Sequence, residues 1–264
     1  MQERHKDRKA YFDEQGVTTQ KYVIPYIEQA KSIHKGTRVL EIGCGEGGNL
    51  VPFIDLDCEV VGIDLNTRQI ENAKQFIEEK YAGKSVALLN QNIYDVKHED
   101  IGIFDIIMLR DVIEHIPNQK KFMNHLKSFM KPDGLVFFGF PPWTMPFGGH
   151  QQICRSKLLS KLPYFHLLPK PIYKGILNMF GESSAAVEEL LEIKDTGIGI
   201  NKFQRFVDVN NYQFVAKDFY LINPNYEVKF GLTPRPQLPI IRGIPYLRDF
   251  ITTCCYCLIK KKAI

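Results

Sequence analysis

Between residues 37 and 140, five short apolar runs alternate with segments of helical periodicity, and this rhythm restricts the fold more than any other feature of the chain. The runs occupy residues 37–42, 59–63, 85–89, 104–109 and 134–140. Each is apolar almost throughout, the pattern of a strand covered on both faces and not of one half exposed to water. Helical stretches lie between them. Asn66 is placed to cap one, with Gln69 three residues on and Ile70, Ala73 and Ile77 as its buried face. Residues 118–130 carry another. Strands alternating with helices build βαβ units, so the expected fold is α/β, doubly wound around a mostly parallel sheet.

After Phe140 the rhythm breaks. Residues 141–196 are rich in aromatics, Pro and Gly, with short helical pieces only, and read as a helical cap inserted after the fifth strand. A helix at 201–210 and strands near 214–222 and 251–260 follow, for seven strands in all. The expected organisation is N-terminal helices or a lid at 1–36, a nucleotide-binding core at 37–140, the cap at 141–196 and the remainder of the core at 197–264. Within the first part, residues 1–18 read as a short amphipathic helix separate from a second helix at 19–34.

The sharpest local signal closes the first strand: Glu41-Ile-Gly43-Cys-Gly45-Glu-Gly47-Gly48. Gly43, Gly45 and Gly48 satisfy G-x-G-x-x-G at a strand-to-helix turn, where bare backbone can approach a ligand. Asp64 ends the second strand 19 residues beyond Gly45, the position from which an acid holds ribose hydroxyls. Together they point to an adenine nucleoside ligand. Glu41 narrows the choice, because a carboxylate there repels a dinucleotide pyrophosphate and suits a cationic ligand.

In these residues the chain resembles the class I S-adenosylmethionine-dependent methyltransferases, whose first motif is acid-x-Gly-x-Gly-x-Gly. The likeness continues through Val60-Val-Gly-Ile-Asp-Leu65, through residues 104–116 with their Leu109-Arg-Asp-Val-Ile-Glu-His115 run, and through Met130-Lys-Pro-Asp-Gly134. It implies S-adenosylmethionine as cofactor. Asp64 would bind the ribose and Leu65 pack on the adenine, with Gly43, Cys44 and Gly45 lining the methionine and ribose portion and Glu41 behind them. Asn92 and Ile93 match the position that grips the adenine edge, where the family usually has Asp. Leu109 or Arg110 would offer a carbonyl to the cofactor ammonium, with the Arg110 side chain turned toward the acceptor. His115 is expected to pack its helix.

The implied reaction is methyl transfer to a small or medium-sized organic acceptor, at a hydroxyl group, with a sugar- or lipid-linked acceptor compatible with the aromatic cap. His150, in Gly148-Gly-His-Gln-Gln152, is the candidate catalytic base, the alternative being a loop histidine bonded to backbone. Two other classes stay open: a non-catalytic binding or scaffold protein that keeps the fold, and an NAD(P)-dependent oxidoreductase, which shares the glycines and ribose acid but not Glu41. A formal net charge of only +4 with scattered bases argues against nucleic acid. No secretory apolar segment follows the N-terminus, and the apolar stretch at 250–259 falls short of the roughly 20 residues of a membrane span. A cytoplasmic protein with reduced cysteines is expected, and residues 172–180 leave room for peripheral membrane contact. Cys254 and Cys257 have C-x-x-C spacing but no second pair, so they read as small hydrophobes in a buried strand. No His/carboxylate cluster at ligand spacing is visible along the chain, and no metal is expected.

Overall fold

A computed structural model describes residues 7–262; residues 1–6 of the expected N-terminal helix lie outside the described residues. One sheet organises the chain. Its strands are β1 (Arg38–Ile42), β2 (Glu59–Asp64), β3 (Val86–Asn90), β4 (Phe104–Arg110), β5 (Met130–Phe140), β6 (Tyr212–Ile222), β7 (Arg235–Pro236) and β8 (Cys254–Lys261), in the order β3-β2-β1-β4-β5-β8-β6-β7. The first five run parallel, and β8 enters antiparallel between β5 and β6. There are eight strands and not the expected seven, because Arg235 and Pro236 add a two-residue edge strand on β6.

Both faces of the sheet are covered, as the apolar runs require. Along β1, Val39 packs into one core cluster while Leu40 and Ile42 join the other; along β4, Ile106 and Met108 alternate with Ile107 and Leu109 in the same way. The three cysteines of β8 follow this alternation, Cys254 on one face and Cys255 and Cys257 on the other, all buried and free. The cap brings a smaller core of its own, around Phe165, Tyr173, Leu177 and Leu190.

The N-terminal helices depart from expectation. The helix Arg8–Thr18 does not stop; it runs through a π-helical turn, Thr19–Val23, into Ile24–Glu28. Pro25 sits in the first turn of that last piece, where its missing N–H costs nothing. The helix comes close because of two glycines. A Cβ on Gly48 would stand 2.2 Å from the Phe12 carbonyl oxygen, and one on Gly16 would stand 3.3 Å from the Gly48 carbonyl. The third glycine of the motif thus admits the N-terminal helix to the surface of the turn.

Candidate active site

The sheet order reverses beside β1, whose neighbours are β2 and β4, and the crevice at the carboxyl ends of these strands is where α/β sheets bind ligands. A cavity of about 500 Å³ lies there. Gly43, Gly45, Asp64, Leu65, Asn92, Ile93 and Arg110 line it, with Tyr11 and Gln15 contributed by the N-terminal helix. Four expected site residues lie outside its wall: Glu41, Cys44, Leu109 and His150.

The turn after β1 is built for close approach. Gly43 has φ +71°, and a Cβ there would stand 2.4 Å from a Val112 methyl. The Gly45 N–H donates to Asp64 Oδ2 (2.8 Å) and the Asn66 N–H donates to Asp64 Oδ1 (2.8 Å), which fixes the carboxylate at the cavity rim. An ionised carboxylate has about four acceptor positions, so two remain for ligand hydroxyls. Asn92 folds back on its own turn, its Oδ1 accepting from the Tyr94 N–H (3.1 Å).

Behind the glycines stands a buried polar chain. Arg110 Nη1 donates to Asn49 Oδ1 (2.7 Å), and Asn49 Nδ2 donates to Glu41 Oε1 (2.7 Å). Thr19 Oγ1 also donates to Asn49 Oδ1 (2.9 Å), and Arg110 Nη1 reaches Thr19 Oγ1 (3.3 Å) and the Gln15 carbonyl (3.5 Å). The Arg110 side chain is therefore held by Asn49 and the N-terminal helix at the cavity wall. Glu41 is fully buried, and burial pushes its carboxyl up to about 8 against the lowering effect of Asn49 and Arg110. Its Oε2 has no partner among the described residues. Cys44 is a buried small hydrophobe whose thiol burial pushes well up, and the Leu109 side chain belongs to the core.

On the cap side the histidines exchange places. His115 lines the cavity, where helix packing was expected, and His150 stands behind it, the two rings meeting edge to face with centroids 4.8 Å apart. His150 Nε2 lies 3.9 Å from Glu114 Oε1. Burial, with the neighbouring imidazoles of His115 and His166, pushes the His150 imidazole down to about 3, and burial lowers His115 too. A group held that low is a weak base at neutral pH. Glu114 is buried, neither of its oxygens has a hydrogen-bond partner, and burial and Asp111 push its carboxyl well up. Glu114, His115 and His150 bring one donor atom each to within 4.8 Å of one another. The expectation that the chain holds no such cluster is corrected: linear spacing could not show it, because His150 comes from a different loop. Glu114 and His115 were visible in sequence as adjacent polar residues, but nothing there tied them to the Gly148-Gly149 loop.

Comparison with known proteins bears on this site. A family described as "Methyltransferase domain" matches residues 18–152, about half of the chain. A ubiquinone biosynthesis O-methyltransferase of Actinobacillus pleuropneumoniae is 30% identical over 119 residues, 44% of this chain and 50% of the relative. The chain thus spans about half the length of the curated relatives it matches. Among solved structures, the magnesium protoporphyrin IX methyltransferase of Synechocystis PCC 6803 superposes with a TM-score of 0.56 at 14% identity, covering 94% of this chain and 84% of the other. An S-adenosylmethionine-dependent methyltransferase of Clostridium acetobutylicum gives a TM-score of 0.57 at 9% identity, covering 93% and 92%. At these identities the superpositions speak for the fold.

Proposed function

The chain belongs to the methyltransferase-domain family, and from that premise we propose that it is an S-adenosylmethionine-dependent methyltransferase acting on a hydroxyl of a small or medium-sized organic acceptor. The observation that carries the reading is the cavity of about 500 Å³ bounded by the left-handed Gly43 turn and the fixed Asp64 carboxylate. Its volume is in the range of small-molecule sites. The residues fit this cofactor: Asp64 retains acceptor positions for two ribose hydroxyls beside its two backbone N–H partners, and buried Glu41 stands behind the glycine turn that borders the cavity. Leu65, exposed in this structure, offers an apolar surface to an adenine ring, with Asn92 and Ile93 at its edge. Cys44 and the ends of β4 at Leu109 and Arg110 contribute through backbone.

The cofactor supplies an activated methyl group on a sulfonium. What remains for the protein is alignment and exclusion of water. The N-terminal helix does part of this, with Tyr11 and Gln15 over the cavity and Arg8 paired to the buried Glu46 of the glycine turn. The hydroxyl preference is supported by the O-methyltransferase relatives, and a lipid- or sugar-linked acceptor by the aromatic cap. No helix among the described residues is long and apolar enough to cross a membrane, and we place the protein in the cytoplasm with peripheral membrane contact available to the cap. Isothermal titration with S-adenosylhomocysteine tests the reading directly. Micromolar binding that Asp64→Ala abolishes supports it. Absence of binding, or NADH binding more tightly, overturns it in favour of a scaffold or an oxidoreductase.

A further inference from the structure

Three donors from two separate parts of the chain meet at the junction of core and cap. Glu114 and His115 sit in the single 3₁₀ turn, Ile113–His115, that follows β4, and His150 stands on the loop that follows β5. The donor atoms of the three lie within 4.8 Å of one another, and His150 Nε2 is 3.9 Å from Glu114 Oε1. The loop is held where it is by its glycines. A Cβ on Gly149 would stand 2.1 Å from His166 Cβ, and His150 itself takes the left-handed conformation, φ +55°, which a non-glycine residue adopts at a cost.

What points to a ligand is Glu114. Its side chain is 4% exposed, and neither oxygen accepts a hydrogen bond from any described residue. A carboxylate so placed must be protonated, paired or coordinated. Among the described residues no lysine or arginine pairs with it; the groups facing it are His150, at 3.9 Å, and the like charge of Asp111. His115 and His150 each bring one ring nitrogen to the cluster. Two imidazoles and one carboxylate are a donor set for borderline divalent ions, zinc, iron(II), cobalt(II) or manganese(II). At ligand distances of about 2.0–2.2 Å, donors around one ion lie no more than roughly 4.4 Å apart, so the three need to close by only a few tenths of an ångström.

We propose that Glu114, His115 and His150 bind a divalent transition-metal ion, with an open coordination position toward the cavity that His115 lines. Three protein ligands leave such a position, as catalytic sites do. The ion would make the cap part of the active site, since without His150 only two ligands remain. Its consequence rests on the methyl-transfer reading above: an acceptor hydroxyl reaching the open position is oriented and loses its proton to water more readily. That oxygen then forms the bond to the methyl carbon, and the C–S bonding pair stays on sulfur as a neutral thioether.

Binding itself is tested without turnover. The full chain, treated with a chelator and desalted, is titrated with zinc by calorimetry and with cobalt(II) by visible absorption. One ion per chain is expected, with micromolar or tighter affinity and a cobalt spectrum of low coordination number. Glu114→Gln and His150→Ala should each weaken it at least 100-fold while S-adenosylhomocysteine affinity, which reports that the core is folded, stays within threefold. His150→Gln gives a second, less disruptive substitution of the same ligand. Two results overturn the proposal: no ion bound by a chain that still binds S-adenosylhomocysteine, or stoichiometric binding unchanged in all three variants. The first leaves Glu114 as a protonated acid beside His150. Loss of S-adenosylhomocysteine binding by the unaltered chain strikes the methyltransferase reading instead.

Discussion

Of the buried glutamates close to the cavity, Glu41 and Glu114 are treated differently by the protein. Glu41, at the end of β1, receives a hydrogen bond from Asn49, which in turn receives one from Arg110. Glu114, in the turn after β4, receives none on either oxygen. The first carboxyl is stabilised by a network that reaches the N-terminal helix and keeps one oxygen orphaned; the second is left to whatever His150 brings from the cap. A buried carboxyl oxygen without a partner is costly, and among the described residues Glu41 keeps one such oxygen and Glu114 two. The core side is preformed, its Asp64 carboxylate and glycine turn fixed by hydrogen bonds within the chain. The cap side is assembled from two loops.

The largest expected effect tests the preformed side. Asp64→Ala removes the carboxylate that the Gly45 and Asn66 N–H groups hold in place. Two charge-assisted hydrogen bonds to a ligand at about 1.5–3 kcal/mol each correspond to at least 100-fold in affinity. Calorimetry with S-adenosylhomocysteine should therefore show weakening of that size. A loss under tenfold would mean that the ribose acid of this chain lies elsewhere.

Glu41→Gln should change stability nearly as much, in the opposite sense. The folded Glu41 carboxyl is raised to about 8 from an ordinary 4.5, so the folded chain binds a proton that the unfolded chain releases between those values. Stability falls as pH rises through that window and is lowest above it. Glutamine keeps the Asn49 bond and cannot titrate. The variant should match the parent below pH 4.5 and exceed it at pH 8 by an amount on the order of 3 kcal/mol in denaturant unfolding, with S-adenosylhomocysteine bound more weakly. Parallel pH profiles for the two proteins would show that Glu41 is ionised in both states.

The core side was legible because its constraints are local. Gly43, Gly45 and Asp64 announce themselves through spacing, and five apolar runs fix a parallel sheet whose switch point must lie beside β1. The cap side was not, because its geometry is made by contacts between distant residues. His150 and His115 carry no mutual signal in sequence, and it is His115, not His150, that lines the cavity. The partners that hold Arg110 were not legible for the same reason: Asn49 and Thr19 come from other segments. The N-terminal helix continued past Thr18 because a π-helical turn, which no propensity announces, absorbs the register change.

Gly149→Ala probes the cap alone. The added methyl would overlap His166 Cβ, at 2.1 Å, in a loop where His166 is fully buried and bonded to the Trp143 carbonyl (2.7 Å). Overpacking of this kind costs about 2 kcal/mol. Trp143 is the single tryptophan, and its ring meets His166 edge to face at 4.6 Å, so its fluorescence reports this loop. The variant should show a shifted emission and a lower Tm with S-adenosylhomocysteine affinity unchanged. A large loss of that affinity would join the two sides that the glutamates separate.

The smallest expected effect sharpens the same division from the core. Asn66 caps the helix Thr67–Tyr81, its Oδ1 accepting from the Gln69 N–H (3.2 Å), while its own N–H donates to Asp64 Oδ1 (2.8 Å). Asn66→Ala removes the cap and keeps the backbone donor that orients Asp64. Losing such a cap costs about 1 kcal/mol. Chemical denaturation should show that loss with an unchanged m-value, and S-adenosylhomocysteine should bind within threefold of the parent, because the Asp64 carboxylate still has both of its N–H partners. If affinity falls tenfold with so mild a loss of stability, the cap and not the backbone holds the ribose acid, and the helix start becomes part of the ligand site.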